Sequence, residues 1–152
     1  MAESRLYEAI DILVTLWKAT GLTVVDGPNL SSDYYNKKAV FVGWDGDQDG
    51  DFLAGDSDQD WAGLGARKRD ERLSVYCCLL NPVGNSTTWK AVRDECAQTL
   101  NVLAAALRGD PSLGLPSPTT AGLVPGQLYQ LLPPEAGALA RQPFDVRINT
   151  RV

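Results

Sequence analysis

Histidine is absent from this sequence of 152 residues. Its absence removes the commonest general base, the Ser-His and Cys-His nucleophile pairs, and the commonest ligand of transition metals. The sequence also contains no glycine-rich phosphate loop, nucleophile elbow or metalloprotease motif. We therefore expect a protein that is not an enzyme, although chemistry that uses only carboxylates stays open.

Cysteine is scarce as well, with Cys77, Cys78 and Cys96 as the three examples. Cys77 and Cys78 are neighbours in a predicted strand, so their side chains point to opposite faces of it. Neither the number nor the spacing is typical of a zinc site or a disulfide framework. We interpret all three as core thiols that stay reduced in a cytosol.

Long apolar runs and an excess of positive charge are also missing. No stretch is long enough to cross a bilayer, and the first residues lack the pattern of a secretory signal, so no membrane contact is expected. The net charge is -5, and seven aspartates between residues 45 and 60 carry -7, which leaves +2 for the remainder of the chain. The sequence therefore offers no general basic surface for gripping nucleic acid.

The patterns that are present predict a single α+β domain over residues 1–152. Apolar residues at helical spacing predict a helix from Ser4 to Gly21 and a longer one that Thr87 or Thr88 caps and that runs through Leu107. We predict a mixed, mostly antiparallel sheet with both helices packed on one face. β-branched, aromatic and alternating patterns place its strands at residues 22–25, 39–44, 71–80, 127–132 and 143–152, with an acidic loop at 45–70 and a Pro/Gly-rich loop at 110–126.

The acidic loop is too long for an ordinary hairpin connection, and its first twelve residues nearly match the calcium loop of an EF-hand. Carboxylates occupy positions one, three and five, glycine position six, and an acid position twelve. The twelfth residue is aspartate instead of the usual glutamate, and a strand precedes the loop where an EF-hand has a helix. We expect no cofactor, and calcium is the alternative that this pattern allows. Its candidate ligands are Asp45, Asp47, Asp49, Asp51 and Asp56.

The same acidity has an electrostatic interpretation. Several copies around a ring would form a negative aperture that repels DNA from its wall. A basic cluster at the end of the loop could pair with the aspartates within the subunit or on a neighbour. Trp44 and Trp61 flank the loop and are expected to anchor it or to lie in an interface. A solvated loop that keeps anions away is the simpler alternative. The candidate luminal or interface residues are Asp45, Asp47, Asp49, Asp51, Asp58, Asp60, Arg67, Lys68 and Arg69.

Over nearly its full length, the chain resembles the tail terminator proteins of long-tailed (siphovirus-type) bacteriophages in the order and spacing of its elements. The resemblance rests on an opening helix, two strands with their turns, a long central strand, the start of the second helix and the last strand. These stretches are residues 9–14, 24–28, 40–46, 71–75, 89–94 and 143–152.

This resemblance implies an α+β structural subunit that is made in the host cytoplasm and assembles as a hexameric ring in the virion. The ring would cap the head-proximal end of the tail tube, stop tube polymerisation and join the tail to the neck. The implied partners are further copies of the chain, the tail tube protein and a neck or stopper protein, while DNA passes through without specific binding. The family has no catalytic residues. A calcium-binding interaction module and another neck protein, such as a head-completion or stopper protein, stay open as alternatives.

Overall fold

The computed structural model describes residues 3–29, 37–65, 67–82, 88–132 and 138–152. Within these ranges the chain forms two helices and an open sheet of seven strands, so the α+β class is confirmed. The helices are α1 (Leu6–Lys18) and α2 (Trp89–Gly109). The strands are β1 (Val24–Asp26), β2 (Ala39–Val42), β3 (Gly55–Trp61), β4 (Arg69–Pro82), β5 (Thr120–Pro125), β6 (Tyr129–Leu131) and β7 (Leu139–Arg151).

The two longest strands, β4 and β7, form the antiparallel centre of the sheet, with Asp70 opposite Arg151 at one end and Pro82 opposite Leu139 at the other. The other edge of β4 pairs with β3 over its first half and with β2 over its second half, both antiparallel. In the same way, β5 and β6 share the other edge of β7. β1 joins β2 in parallel, which makes the sheet mixed and mostly antiparallel, as predicted.

Both helices cover one face of this sheet, which confirms the predicted layering. Apolar side chains of α1 and α2 pack against alternate residues of β4 and β7, such as Val75 and Val146. The indole N–H of Trp17 on α1 donates to the carbonyl of Leu103 on α2 at 3.2 Å, and its ring centre lies 5.9 Å from that of Phe144 on β7. Trp17 therefore joins both helices to the sheet in one core.

The predicted N-terminal cap of α2 is confirmed, and the cap position of α1 is shifted by one residue. The hydroxyl of Thr88 accepts a hydrogen bond from the Ala91 N–H at 3.4 Å, so Thr88 caps α2 as predicted. The residue at the cap position of α1 is Arg5, one residue after the predicted Ser4. The Ser4 hydroxyl still accepts from the Leu6 N–H at 3.1 Å in the first turn, and the carboxylate of Glu71 accepts the Arg5 N–H at 2.7 Å.

Two segments that were predicted to be loops contain strands. Residues 55–61 of the predicted acidic loop, which we call the acidic segment from here on, form β3. Residues 120–125 of the predicted Pro/Gly-rich loop form β5. The loop predictions at 45–70 and 110–126 are therefore wrong for these residues. The composition of both strands is poor in β-formers, but each lies against a long central strand whose backbone groups supply its hydrogen bonds. Tertiary pairing here outweighs local preference.

The face of the sheet that α1 and α2 leave uncovered, which we call the open face, carries a second, smaller apolar cluster around Phe41 and Trp44. Cys78 belongs to this cluster and Cys77 to the main core, so the two neighbours do point to opposite faces. All three cysteines are buried and free.

The burial of these thiols has a measurable consequence. Because burial raises the pKa of Cys77, Cys78 and Cys96, we expect the native protein to be inert to an aromatic disulfide reagent at mildly alkaline pH. Denaturation in guanidinium chloride should release all three thiols for reaction. Prompt reaction of any thiol in the native protein would contradict the assigned core positions.

Candidate functional site

The first part of the acidic segment, residues 45–54, is fixed to the open face of the sheet. Trp44 is buried, and its indole N–H donates to the carbonyl of Asp47 at 3.3 Å. Its ring stacks on Phe52 at a centroid distance of 6.2 Å and meets the ring of Phe41 edge-on at 5.2 Å. Gly46 lies so close to the sheet that a Cβ there would collide with the sulfur of Cys78. Trp44 is therefore the anchor that the sequence predicted.

Three carboxylates in this part fold back onto their own backbone. Asp45 accepts from the Asp47 N–H at 2.9 Å, Asp47 from the Asp49 N–H at 3.0 Å, and Asp51 from the Leu53 N–H at 3.2 Å. Such contacts, each two residues along the chain, are typical of turns in which a carboxylate oxygen satisfies a backbone N–H. Across the described ranges, no group of three or more His, Cys, Asp or Glu side chains is placed to hold a metal ion. Calcium binding by residues 45–56 stays a prediction.

The second part of the acidic segment is strand β3, and its three aspartates point to the open face. The guanidinium group of Arg72 on β4 contacts Asp58 at 2.6 Å and Asp60 at 2.7 Å. The hydroxyl of Tyr76 donates to Asp56 at 2.8 Å. This hydrogen bond, with burial and the charge of Asp56, raises the pKa of Tyr76 to about 12. These carboxylates are thus tied to β4.

The basic cluster lies where β3 turns into β4. Arg67 and Lys68 are exposed, and Arg69 contacts the carboxylate of Glu3 at 2.9 Å. In the part of the chain that the structure describes, no ion pair joins these three residues to an aspartate of the acidic segment. The partner of those aspartates on β4 is Arg72, which the sequence analysis did not single out. Only the cross-strand register could have found it.

No pattern in the sequence singles out Glu71, whose buried carboxylate organises the start of α1. It is 1% exposed, and it accepts hydrogen bonds from the Arg5 N–H at 2.7 Å, the Ser57 hydroxyl at 2.6 Å and the Gln59 amide at 2.7 Å. Burial by itself raises the pKa of Glu71, but these bonds and one to Ser4 outweigh it, so the pKa is lowered. Glu71 therefore ties β3, β4 and α1 together as a carboxylate.

A cleft of about 620 Å³ opens on the same face between the acidic segment, β7 and the bend that joins β5 to β6. Arg141 lies mostly buried along it, 4.4 Å above the ring of Tyr129 and 3.9 Å from the carboxylate of Asp47. Asp145 and Arg147 contact each other at 3.5 Å. The charged side chains of the cleft are Asp45, Asp47, Asp145, Arg141 and Arg147.

Among the exposed apolar side chains of the described residues, two groups lie beside the ends of strands. At the end of the β3–β4 hairpin, the side chain of Trp61 is 69% exposed and that of Leu64 is fully exposed. Beside β6, the side chain of Leu132 is 77% exposed, with further exposed apolar residues before it. Trp61 is therefore not the second anchor of the acidic segment, and an interface residue is the interpretation that agrees with its exposure. The exposed residues before Leu132 are Leu128, Tyr129 and Leu131.

In the described part of the chain, the strands on each side of the sheet have a free outer edge. Within the described residues, β3 and β1 form one side of the sheet and β5 and β6 form the other, and no further strand pairs with their outer edges. Such edges present free backbone donors and acceptors that can pair with another chain.

Comparison with known proteins adds no family assignment. No protein-family model matches the chain, and no curated protein matches it significantly. Among the described residues there is no helix that is both long enough and apolar enough to span a membrane.

Proposed function

We propose that this protein is a structural ring subunit at the junction of tail and neck in a long-tailed phage. The ring, with six copies in the resembling family, caps the head-proximal end of the tail tube, ends tube polymerisation and joins the tail to the neck. DNA passes through its opening. The observation that carries the proposal is the open sheet of the described residues, with a free outer strand edge on each side and one charged face that neither α1 nor α2 covers.

The two sides of the sheet differ, so a contact from one side to the other would build a ring and not a symmetric pair. One side presents β3 and the other β5, so a contact between them joins unlike surfaces of successive copies. A contact between unlike surfaces repeats head to tail and closes into a ring when its rotation completes a circle. Free strand edges also present backbone donors and acceptors with which a neighbouring copy can pair.

The acidic face suits a passage for DNA. The three exposed aspartates of β3 have one guanidinium group beside them, that of Arg72, so this strand carries excess negative charge, while Arg141 and Arg147 lie on β7 at the cleft of the same face. Carboxylates on a wall repel phosphates and let the duplex slide past instead of adhering. We place this face, with Asp45, Asp47, Asp49 and Asp51, at the lumen or at the seam between subunits.

Light scattering of the purified protein tests the proposal, alone and with the tube protein of the same virus. We expect the measured mass to reach that of a closed ring in at least one of these two samples. Electron micrographs of the sample with tube protein should show the ring at one end of each tube. Tube protein alone is the control. A monomer that never associates with tube ends contradicts the proposal, and attachment to the capsid neck without tube ends would indicate a head-completion or stopper role instead.

A further inference from the structure

We infer that the tip of the β3–β4 hairpin of one copy docks in the cleft of the next copy. The hairpin tip consists of Trp61, Leu64, Arg67 and Lys68, and the cleft is the one bounded by the acidic segment, β7 and the β5–β6 bend. The inference rests on the proposed ring, because it names the contact between its neighbouring subunits.

The hairpin tip carries apolar side chains of the kind that interfaces bury, but in the single chain they are exposed. The backbone ladder continues to the Ala62 N–H, which donates to the Lys68 carbonyl at 3.0 Å, and beyond it the exposed Leu64 lies between two glycines. Trp61 beside it keeps 69% of its surface in solvent. Exposed apolar patches often mark interaction sites, and tryptophan and arginine are enriched in protein interfaces. Docking would remove this apolar surface from water.

The charges of tip and cleft are complementary. Arg67 and Lys68 are exposed, and no ion pair within the described residues neutralises them. The cleft holds three carboxylates and two guanidinium groups, and the exposed Asp49 and Asp51 follow in the same acidic segment. A basic tip thus meets a site with excess negative charge, which favours this orientation over a tip-to-tip pair.

The wall of the cleft also offers apolar surface for the tip. Val124 and Pro125 at the end of β5 and the ring of Tyr129 line it beside the charged groups. Tyr129 is partly exposed although Arg141 covers one face of its ring. The cleft therefore combines an apolar wall with an acidic rim. The tip carries apolar side chains that can contact the wall and basic side chains that can pair with the rim.

Within one chain, the tip and the cleft cannot meet. Phe144, which lines the cleft, pairs with Cys77 on β4, eight residues along that strand from Arg69 at the base of the tip. At about 3.3 Å per residue the two regions lie about 26 Å apart on a continuous strand. The contact is therefore intermolecular and joins unlike surfaces, which is the type of contact that builds a ring.

Disulfide trapping tests the contact in the full-length protein. The double variant Leu64→Cys with Gln127→Cys places one thiol on the tip and one on the exposed rim of the cleft, while the three native thiols are buried. We expect mild oxidation to give covalent ladders up to the closed ring on a non-reducing gel. The matched control pairs Leu64→Cys with Asn101→Cys, an exposed position on α2 outside the cleft, and should stay monomeric.

A second variant tests the charges. Arg67→Glu with Lys68→Glu should weaken self-association about tenfold, because two pairs at an interface rim are lost and replaced by repulsion. If the wild-type protein forms a ring but the 64–127 pair gives no more cross-links than its control, or cross-links only to tube protein, the inference is overturned and the proposed function stands. If the wild type never self-associates, alone or on tubes, both fail.

Discussion

Glu71→Gln is expected to lower the free energy of unfolding by about 2–4 kcal/mol at neutral pH. The glutamine side chain has nearly the same size, but its amide nitrogen cannot accept, so it cannot bond the Arg5 N–H and the Ser57 and Gln59 donors all at once as the carboxylate does. Urea unfolding followed by circular dichroism measures the change. Glu8→Gln is the matched control, because Glu8 is exposed on α1, and it should change the stability by less than about 0.5 kcal/mol.

The same carboxylate makes the stability depend on pH. The pKa of Glu71 is lower in the folded protein than in the unfolded chain, where it is about 4.3. Its contribution is therefore complete above about pH 4.3 and is lost as the pH falls through the folded pKa. The wild type should lose more stability on acidification across this range than Glu71→Gln does. Equal slopes for the two proteins would show that Glu71 is not the group responsible.

Trp44→Ala is expected to cost about 3–5 kcal/mol, the usual cost of truncating a large buried aromatic side chain. Trp44 is 1% exposed and contacts Phe41, Phe52 and the Asp47 carbonyl, so its loss also frees the acidic segment from the sheet. Urea unfolding gives the energy, and hydrogen exchange should show faster exchange of the Asp47 and Asp49 amides.

The other tryptophan beside the acidic segment provides the control. Trp61 is 69% exposed on the hairpin tip, so Trp61→Ala should change the stability of the monomer by less than about 0.5 kcal/mol. Equal losses for the two variants would mean that Trp44 is not the anchor. Measurement at low protein concentration keeps self-association from contributing to either value.

The elements in which apolar residues recur at regular helical or strand spacing were predictable, because their own side chains define the buried face. In α2, apolar residues recur at helical spacing and Thr88 supplies the cap. In β7, Phe144, Val146, Ile148 and Thr150 alternate inward as predicted. The opposite orientations of Cys77 and Cys78 follow from the same alternation along β4.

The acidic segment shows where this predictability ends. Its position, its charge and the anchoring Trp44 are evident from the sequence, but β3 within it is not, because the backbone partners of β3 lie on β4. The pairing of Arg72 with Asp58 and Asp60 follows from that register and not from any local pattern. The basic residues nearest in sequence, Arg67 and Lys68, were the natural candidates.

The sequence alone thus determined the α+β class, both helices and the concentration of negative charge in one segment, because each depends on residues near one another along the chain. Tertiary structure alone decided that Glu71 is buried among Arg5, Ser57 and Gln59, that a cleft forms beside the acidic segment, and that Trp61 stays exposed. The reason is physical: a hydrogen bond or an ion pair forms between groups that the strand register brings together, and the register is a property of the whole sheet.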